Sequence, residues 1–148
     1  GGAQRLDLTQ LARELGMALA PLAHAKGISL ALEAEQPVWL SGEPTLLNEL
    51  LCNLLDNALA HTPAGGNVVL RVLPSAVLEV EDDGPGIPPE AHERVFARFY
   101  RHSSKGSGAG LGLAIVGEIC RAHQAQISLH QVQPQGLRVR VEFAAAAE

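Results

Sequence analysis

Aromatic residues are scarce in this sequence: Phe, Trp and Tyr make up 3% of its 148 residues. Its core must therefore be aliphatic, drawn from the Leu, Val, Ile and Ala that dominate a hydrophobic fraction of 47%. Charge is sparse too, at 18%, and this excludes a disordered polyelectrolyte. Basic residues number 11 against 16 acidic ones, for a formal net charge of −5. A dedicated nucleic-acid binder needs a basic face, so no nucleic-acid partner is expected. No apolar run reaches the ~18 residues of a membrane span, because Leu46 to Leu59 is broken by Asn, Glu and Asp. No signal-peptide pattern opens the chain. The two cysteines, Cys52 and Cys120, lie in apolar helical patterns and read as reduced core thiols of a cytosolic protein. The histidines are scattered, with no H-E-x-x-H and no Cys/His cluster, which disfavours a zinc site. His24, His92, His102, His123 and His130 read as surface or helix-end residues. Gly-x-Ser-x-Gly is absent, so a hydrolase elbow has no support.

What is present reads as one domain over 1–148, with residues 1–5 a linker or cloning scar and 144–148 a frayed tail. Asp7 offers an N-cap for a helix carrying Leu8, Leu11, Leu15 and Leu19, with a kink expected at Pro21 and an end at Gly27. Ile28 to Glu33 and Val38 to Leu40 alternate as strands. A long helix is predicted from Glu43 to Thr62, stopped by Pro63 and Gly65-Gly66. Asn67 to Leu73 and Ala76 to Glu81 form a hairpin around Pro74-Ser75. Loop follows from Asp82 to Pro89, then a short helix over Glu90 to Arg94 and a polar, Gly/Ser-rich loop over Arg101 to Gly110. A helix over Leu111 to His123 and a hairpin around Pro134-Gln135-Gly136 close the chain. This order lacks regular βαβ alternation. It predicts an α+β, two-layer sandwich: a mixed, mainly antiparallel sheet covered on one face by helices.

The long helix carries Glu49, Asn53, Asn57 and His61 at intervals of four, a slowly drifting polar stripe. Two carboxamides one turn apart, with Asp56 beside them, can place oxygens on a hard cation such as Mg²⁺. The stripe alone reads equally as a solvated helix face. Asp82-Asp83-Gly84-Pro85-Gly86-Ile87 follows a strand, where glycine lets backbone approach a ligand and an Asp can accept from a buried amine. Gly108-Ala109-Gly110-Leu111-Gly112-Leu113 opens a helix, whose free N–H groups suit phosphate. It is neither a dinucleotide fingerprint, since Leu113 stands where the last Gly belongs, nor a Walker A loop.

Taken in order, Asn53-Leu-Leu-Asp-Asn57, Asp82-x-Gly84-x-Gly86, Phe96-Ala-Arg-Phe99 and Gly108-x-Gly110-x-Gly112 form a specific combination. It resembles the N, G1, F and G2 boxes of the catalytic, ATP-binding domain of bacterial sensor histidine kinases, from about Leu6 to Phe143. The resemblance implies the Bergerat-type sandwich, with ATP and Mg²⁺ as ligands. It implies that Asn57 coordinates the metal with Asn53 in support, and that Asp82 accepts from the adenine amino group. Gly84, Gly86 and Ile87 then surround the base, with His61 where many relatives have Tyr. Residues 96 to 109 would form a lid anchored by Phe96 and Phe99. Gly108, Ala109, Gly110, Leu111, Gly112 and Leu113 would present amides to the phosphates.

The chain departs from the family pattern at several positions. Ala60 stands where many relatives carry Lys or Arg, so Arg101 or Lys105 is the candidate phosphate cation. Asp83 replaces a frequent Asn, and Gln124 a helix-ending Gly. The phosphoacceptor His motif of the family is missing, since His61-Thr62-Pro63 belongs to the ATP-site helix. The resemblance therefore implies a catalytic domain that phosphorylates a His on a separate dimerisation domain and is not itself labelled. The parent would be a homodimeric inner-membrane sensor, with this domain in the cytoplasm and a response regulator as partner. The competing functions are a gyrase- or chaperone-type ATPase and a degenerate nucleotide-sensing module. Such hydrolases carry a Glu base where this chain has Asn53, a carboxamide that cannot take a proton from water.

Overall fold

A computed structural model describes residues 2–92 and 109–144. Period-two alternation decides its main sheet. Strands β2 (Ser29–Glu33), β4 (Asn67–Leu73), β5 (Val77–Asp82), β6 (Gln126–Gln131) and β7 (Leu137–Glu142) lie in the order β2-β4-β5-β7-β6. All neighbours are antiparallel except β2 and β4, which run parallel. Val68, Leu70 and Val72 of β4, Leu78 and Val80 of β5, and Val139 and Val141 of β7 are buried. Helices α1 (Leu8–Ala25), α2 (Pro44–His61) and α3 (Ala109–Ala122) pack on these strands, and α2 supplies Leu47, Leu50, Leu51, Leu54, Leu55 and Leu59 to one continuous core. This is the expected two-layer sandwich, and its core is aliphatic as the scarcity of aromatics requires.

The helix boundaries follow capping chemistry. Asp7 accepts from the Thr9 N–H at 3.0 Å, and Glu43 accepts from the N–H groups of Thr45 and Leu46, with Pro44 in the first turn of α2. The α1 helix continues through Pro21 to Ala25. Beyond it, Gly27 takes φ +74° while the Ile28 N–H bonds to the Ala23 carbonyl, a Schellman end. The α3 helix ends the same way, with the Ala125 N–H on the Cys120 carbonyl, but the left-handed position is Gln124, at φ +51°. His123 then ties the end of α3 to the start of α2. Its Nδ1 donates to the Ile119 carbonyl at 2.9 Å and its Nε2 accepts from the Glu43 N–H at 3.1 Å, a set that fixes one neutral tautomer.

Three sequence expectations change. Gln4 and Arg5, assigned to a linker, belong to strand β1 (Gln4–Asp7), which pairs antiparallel with β3 (Trp39–Gly42) in a separate two-stranded sheet. The Arg5 guanidinium lies 4.7 Å over the Trp39 ring, a cation–π contact that fastens the pair. The short helix at Glu90 is a 3-10 turn over Pro89–Ala91, and residues past His92 up to Gly108 lie outside the described residues. Ala109, placed at the end of a lid, is the first residue of α3.

The sheet face turned away from the helices carries an ion-pair lattice. Glu79 accepts from Arg140 at 2.7 Å and from Arg71 at 3.3 Å. Glu81 accepts from Arg138 at 2.8 Å and from Arg71 at 3.0 Å, and Arg71 reaches Glu33 on β2 at 2.8 Å. Arginine forks bridging neighbouring strands cover a sheet face that would otherwise leave carboxylates unpaired. Glu79 shows only 8% of its side chain to solvent, so its three arginine neighbours replace lost hydration.

Candidate functional site

The site is built where α2 crosses the end of β5. A spacing of four residues advances 400° around a helix, so the polar stripe winds by about 40° per step. Glu49 is exposed, Asn53 half-buried, Asn57 buried with 6% of its surface accessible, and His61 half-buried. The drift carries the middle of the stripe inward. Asn53 is held by its Nδ2 donating to the Glu49 carbonyl at 2.8 Å, with its own oxygen uncommitted among the bonds described. His61 Nδ1 donates to the Asn57 carbonyl at 3.0 Å. Asn57 Oδ1 is buried with no hydrogen-bond partner, alone in this among the buried side-chain atoms of the described residues. A buried, unpartnered amide oxygen costs about 1–3 kcal/mol and calls for a ligand.

Facing α2 is the loop that leaves β5. Asp82 is buried, with 5% of its surface accessible. Burial pushes its pKa up to about 6, against the opposing pull of the Gly84 and Leu137 N–H groups, and the nearby charges of Asp83 and Glu81 add to the rise. Its Oδ1 accepts from the Gly84 N–H at 2.9 Å. Gly84 is buried so close to the His61 carbonyl that a Cβ there would collide with it, so this position admits only glycine. Ile87 is buried beneath the loop, and its carbonyl accepts from His92 Nε2 at 2.8 Å. Asp83 instead turns back, accepting from the Asn67 backbone N–H at 2.8 Å and from Asn67 Nδ2 at 2.9 Å. Those bonds hold the Asp83 carboxyl below its ordinary range.

The sequence-based candidates therefore divide. Asn53, Asn57 and His61 share α2, and Asp82, Gly84, Gly86 and Ile87 lie on the adjoining strand end and loop. Ala109, Gly110, Leu111, Gly112 and Leu113 open α3, and the N–H groups of its first turn have no intrahelical partner. Arg101, Lys105 and Gly108, with Phe96 and Phe99, lie outside the described residues. Sequence reasoning placed the β6–β7 turn but missed its contact with this site. Gly136 packs against the Asp82 carbonyl, and Gln135 Nε2 donates to the Asp83 carbonyl at 3.0 Å. The Pro134-Gln135-Gly136 run signals a turn and nothing in it signals what the turn touches.

A buried carboxylate of raised pKa, an orphaned amide oxygen on the facing helix, and a glycine pressed onto that helix's last carbonyl mark a candidate small-ligand site. Residues 42–147 match the family described as "Histidine kinase-, DNA gyrase B-, and HSP90-like ATPase". The chain belongs to that family. It is 41% identical over 142 residues to the sensor protein kinase PmrB of Pseudomonas aeruginosa, covering 92% of this chain and 30% of PmrB. It superposes on the mycobacterial sensor histidine kinase MprB with a TM-score of 0.84 at 28% identity, covering 99% of both chains. Full-length ShkA in complex with AMPPNP gives a TM-score of 0.84 at 31% identity, covering 99% of this chain and 32% of that one. Within the family, then, the chain is a histidine kinase-type ATPase domain, spanning about a third of the length of such relatives.

Proposed function

We propose that this domain binds Mg²⁺-ATP and passes the γ-phosphoryl group to a histidine on a separate dimerisation domain of a two-component sensor kinase. In the whole protein the phosphoryl group would go on to a response regulator, and the parent would be a homodimeric sensor of the inner membrane with this domain in the cytoplasm. The unpartnered Oδ1 of buried Asn57 carries the reading. It is a neutral oxygen donor, suited to a hard cation that takes its remaining ligands from water and phosphate. The donor set thus fits Mg²⁺, with Asn57 and Asn53 as its protein ligands. The ion, when bound, neutralises charge on the phosphates during transfer.

Asp82 is assigned to the adenine amino group, an N–H donor for a buried carboxylate. Gly84 and Gly86 are assigned to shaping the loop around the base, by letting it pack on the His61 and Gly136 carbonyls, with Ile87 and His61 assigned to the base's surroundings. The amides of Gly108 to Leu113 are assigned to the phosphates, and residues 96–108, with Arg101 and Lys105, to a cover over them. Phosphoryl transfer then rests on positioning and charge neutralisation, with the base on the acceptor domain. A hydrolase is not favoured: Asn53 cannot act as a base, and its amide is already bound to the Glu49 carbonyl.

Calorimetric titration of ATP with Mg²⁺ and with EDTA tests the assignment. Asn57→Ala is expected to lose more affinity for Mg²⁺-ATP than for metal-free ATP, and equal losses would make Asn57 a structural residue. Labelled ATP should leave acid-labile label on the added dimerisation domain and none on this chain alone.

A further inference from the structure

The β6–β7 turn lies against the loop assigned to adenine, and three separate contacts join them. Gly136, at φ +137°, is buried so tightly on the Asp82 carbonyl that any Cβ would overlap it. A Cβ on Gly86 would in turn meet the Gly136 carbonyl oxygen at 2.9 Å, so the two backbones are stacked. Exposed Gln135 reaches across 52 residues of sequence to donate its Nε2 hydrogen to the Asp83 carbonyl at 3.0 Å. The turn is itself fixed by the Val132 N–H on the Gly136 carbonyl, and the pairing of Leu137 with Asp82 continues the β5–β7 ladder to its last rung. Asp82 to Gly86 is otherwise held by the Gly84 N–H on Asp82, by the Asp83 N–H on the Asn67 carbonyl at 3.3 Å, and by the Asp83 side chain on Asn67, and past Gly84 only the Gly136 contact is added.

We infer that the β6–β7 turn is a positioning element for nucleotide binding, in which Gln135 latches the Asp82–Gly86 loop so that the Asp82 carboxylate is presented to the base. The inference rests on the reading of this site as an adenine site. Gln135 is assigned no contact with the ligand. It acts by holding the peptide that follows Asp82, and Gly136 provides the surface on which that peptide rests. Preorganisation of this kind is worth affinity because the loop need not be ordered when ligand arrives.

The latch is tested by titrating Mg²⁺-ATP into the wild type, Gln135→Ala, Gln135→Glu and Gln135→Lys from pH 5 to pH 8, with thermal melts of each. Loss of one hydrogen bond to the loop is expected to weaken ATP about 3- to 10-fold in Gln135→Ala. The melting temperature should hardly move, because Gln135 is exposed. The pH at which ATP binding is half-maximal should fall, as a loosened loop lets water reach Asp82. Gln135→Glu, which removes the donor and adds like charge beside Asp83, should lose more, and Gln135→Lys, which keeps a donor, should recover most of the affinity. Unchanged ATP affinity and pH midpoint in Gln135→Ala would overturn the latch while leaving the adenine site standing. So would a loss that Gln135→Lys does not recover. A wild type that takes up no ATP would remove both readings together.

Discussion

Glu81 and Asp82 are consecutive residues of β5, and the sheet treats their carboxylates in opposite ways. Glu81 points to the outer face. Burial works to raise its pKa, but the hydrogen bonds from Arg71 and Arg138 outweigh that and hold it below the ordinary range. Asp82 points to the helical layer, where two backbone N–H groups fail to offset burial and its pKa rises to about 6. One residue of pleat separates a carboxylate whose charge is paired with arginines from one that has only backbone N–H partners. The same contrast holds for the two faces as wholes. The outer face closes its charges on itself through Arg71, Arg138 and Arg140. The inner face ends in an orphaned amide oxygen and a disfavoured charge. Unsatisfied groups on a surface built for a ligand are expected where the ligand completes them.

The sharpest way to break the contrast is to remove the Asp82 charge. The native pKa of about 6 stands above the ordinary Asp value of 3.8. The stability this group contributes is therefore complete below that ordinary value and is lost as pH rises through about 6, because the folded state holds the proton more tightly. Asp82→Asn should remove that loss, raising stability at pH 7 by up to about 3 kcal/mol. It should at the same time weaken ATP by about 10- to 150-fold, since a hydrogen bond to a charged group is worth roughly 1.5–3 kcal/mol. Urea unfolding at pH 4.5 and 7, paired with ATP calorimetry, reads both effects. A variant less stable and equally able to bind ATP would reverse the assignment of the two faces.

On the outer face the expected outcome is the mirror image. Glu79→Ala leaves three arginines around an emptied position, and should cost about 2 kcal/mol of stability once their partial exposure is discounted. ATP affinity should not change. Urea midpoints and the same calorimetry decide it, and a loss of ATP binding without a loss of stability would show that the lattice belongs to the site.

The two Schellman ends give the smallest effect. Gly27 and Gln124 occupy the same left-handed position after α1 and α3, one at no steric cost and one against it. Gln124→Gly should stabilise the domain by about 0.5–1 kcal/mol, read as a higher urea midpoint at unchanged slope.

Much of this fold was legible from residue patterns, for reasons the structure makes specific. The strands β4 and β7 bury alternate apolar residues, β2 half-buries Leu30 and Leu32, and the caps at Asp7 and Glu43 sit where helix chemistry puts them. Strand β1 was not legible. Gln-Arg-Leu-Asp has one apolar residue, and its partner β3 lies more than thirty positions away, so nothing local marks it. The parallel pairing of β2 with β4 is equally a long-range fact. At the site, residue types and order pointed to Asn57 and Asp82. What they withheld was the environment: a stripe spaced by four gives no sign of which member the helix will bury. The contact of Gln135 and Gly136 with Asp83 and Asp82 arises only when the last hairpin is laid beside β5.

The arginine–glutamate lattice also distinguishes the native strand register from its neighbours. Glu79 and Glu81 face Arg140 and Arg138 across the β5–β7 pair, and Glu79 faces Arg71 across β4–β5. A slip of one residue would turn both glutamates toward Leu-lined space and bring Leu78 and Val80 into water. A slip of two would keep the faces correct but leave only one of the two β5–β7 charge pairs opposed. Apolar alternation alone cannot tell that second error from the right alignment, because Val and Leu repeat along all three strands. The charges can, and they thereby deliver Asp82 to the last rung of the ladder, beside Leu137.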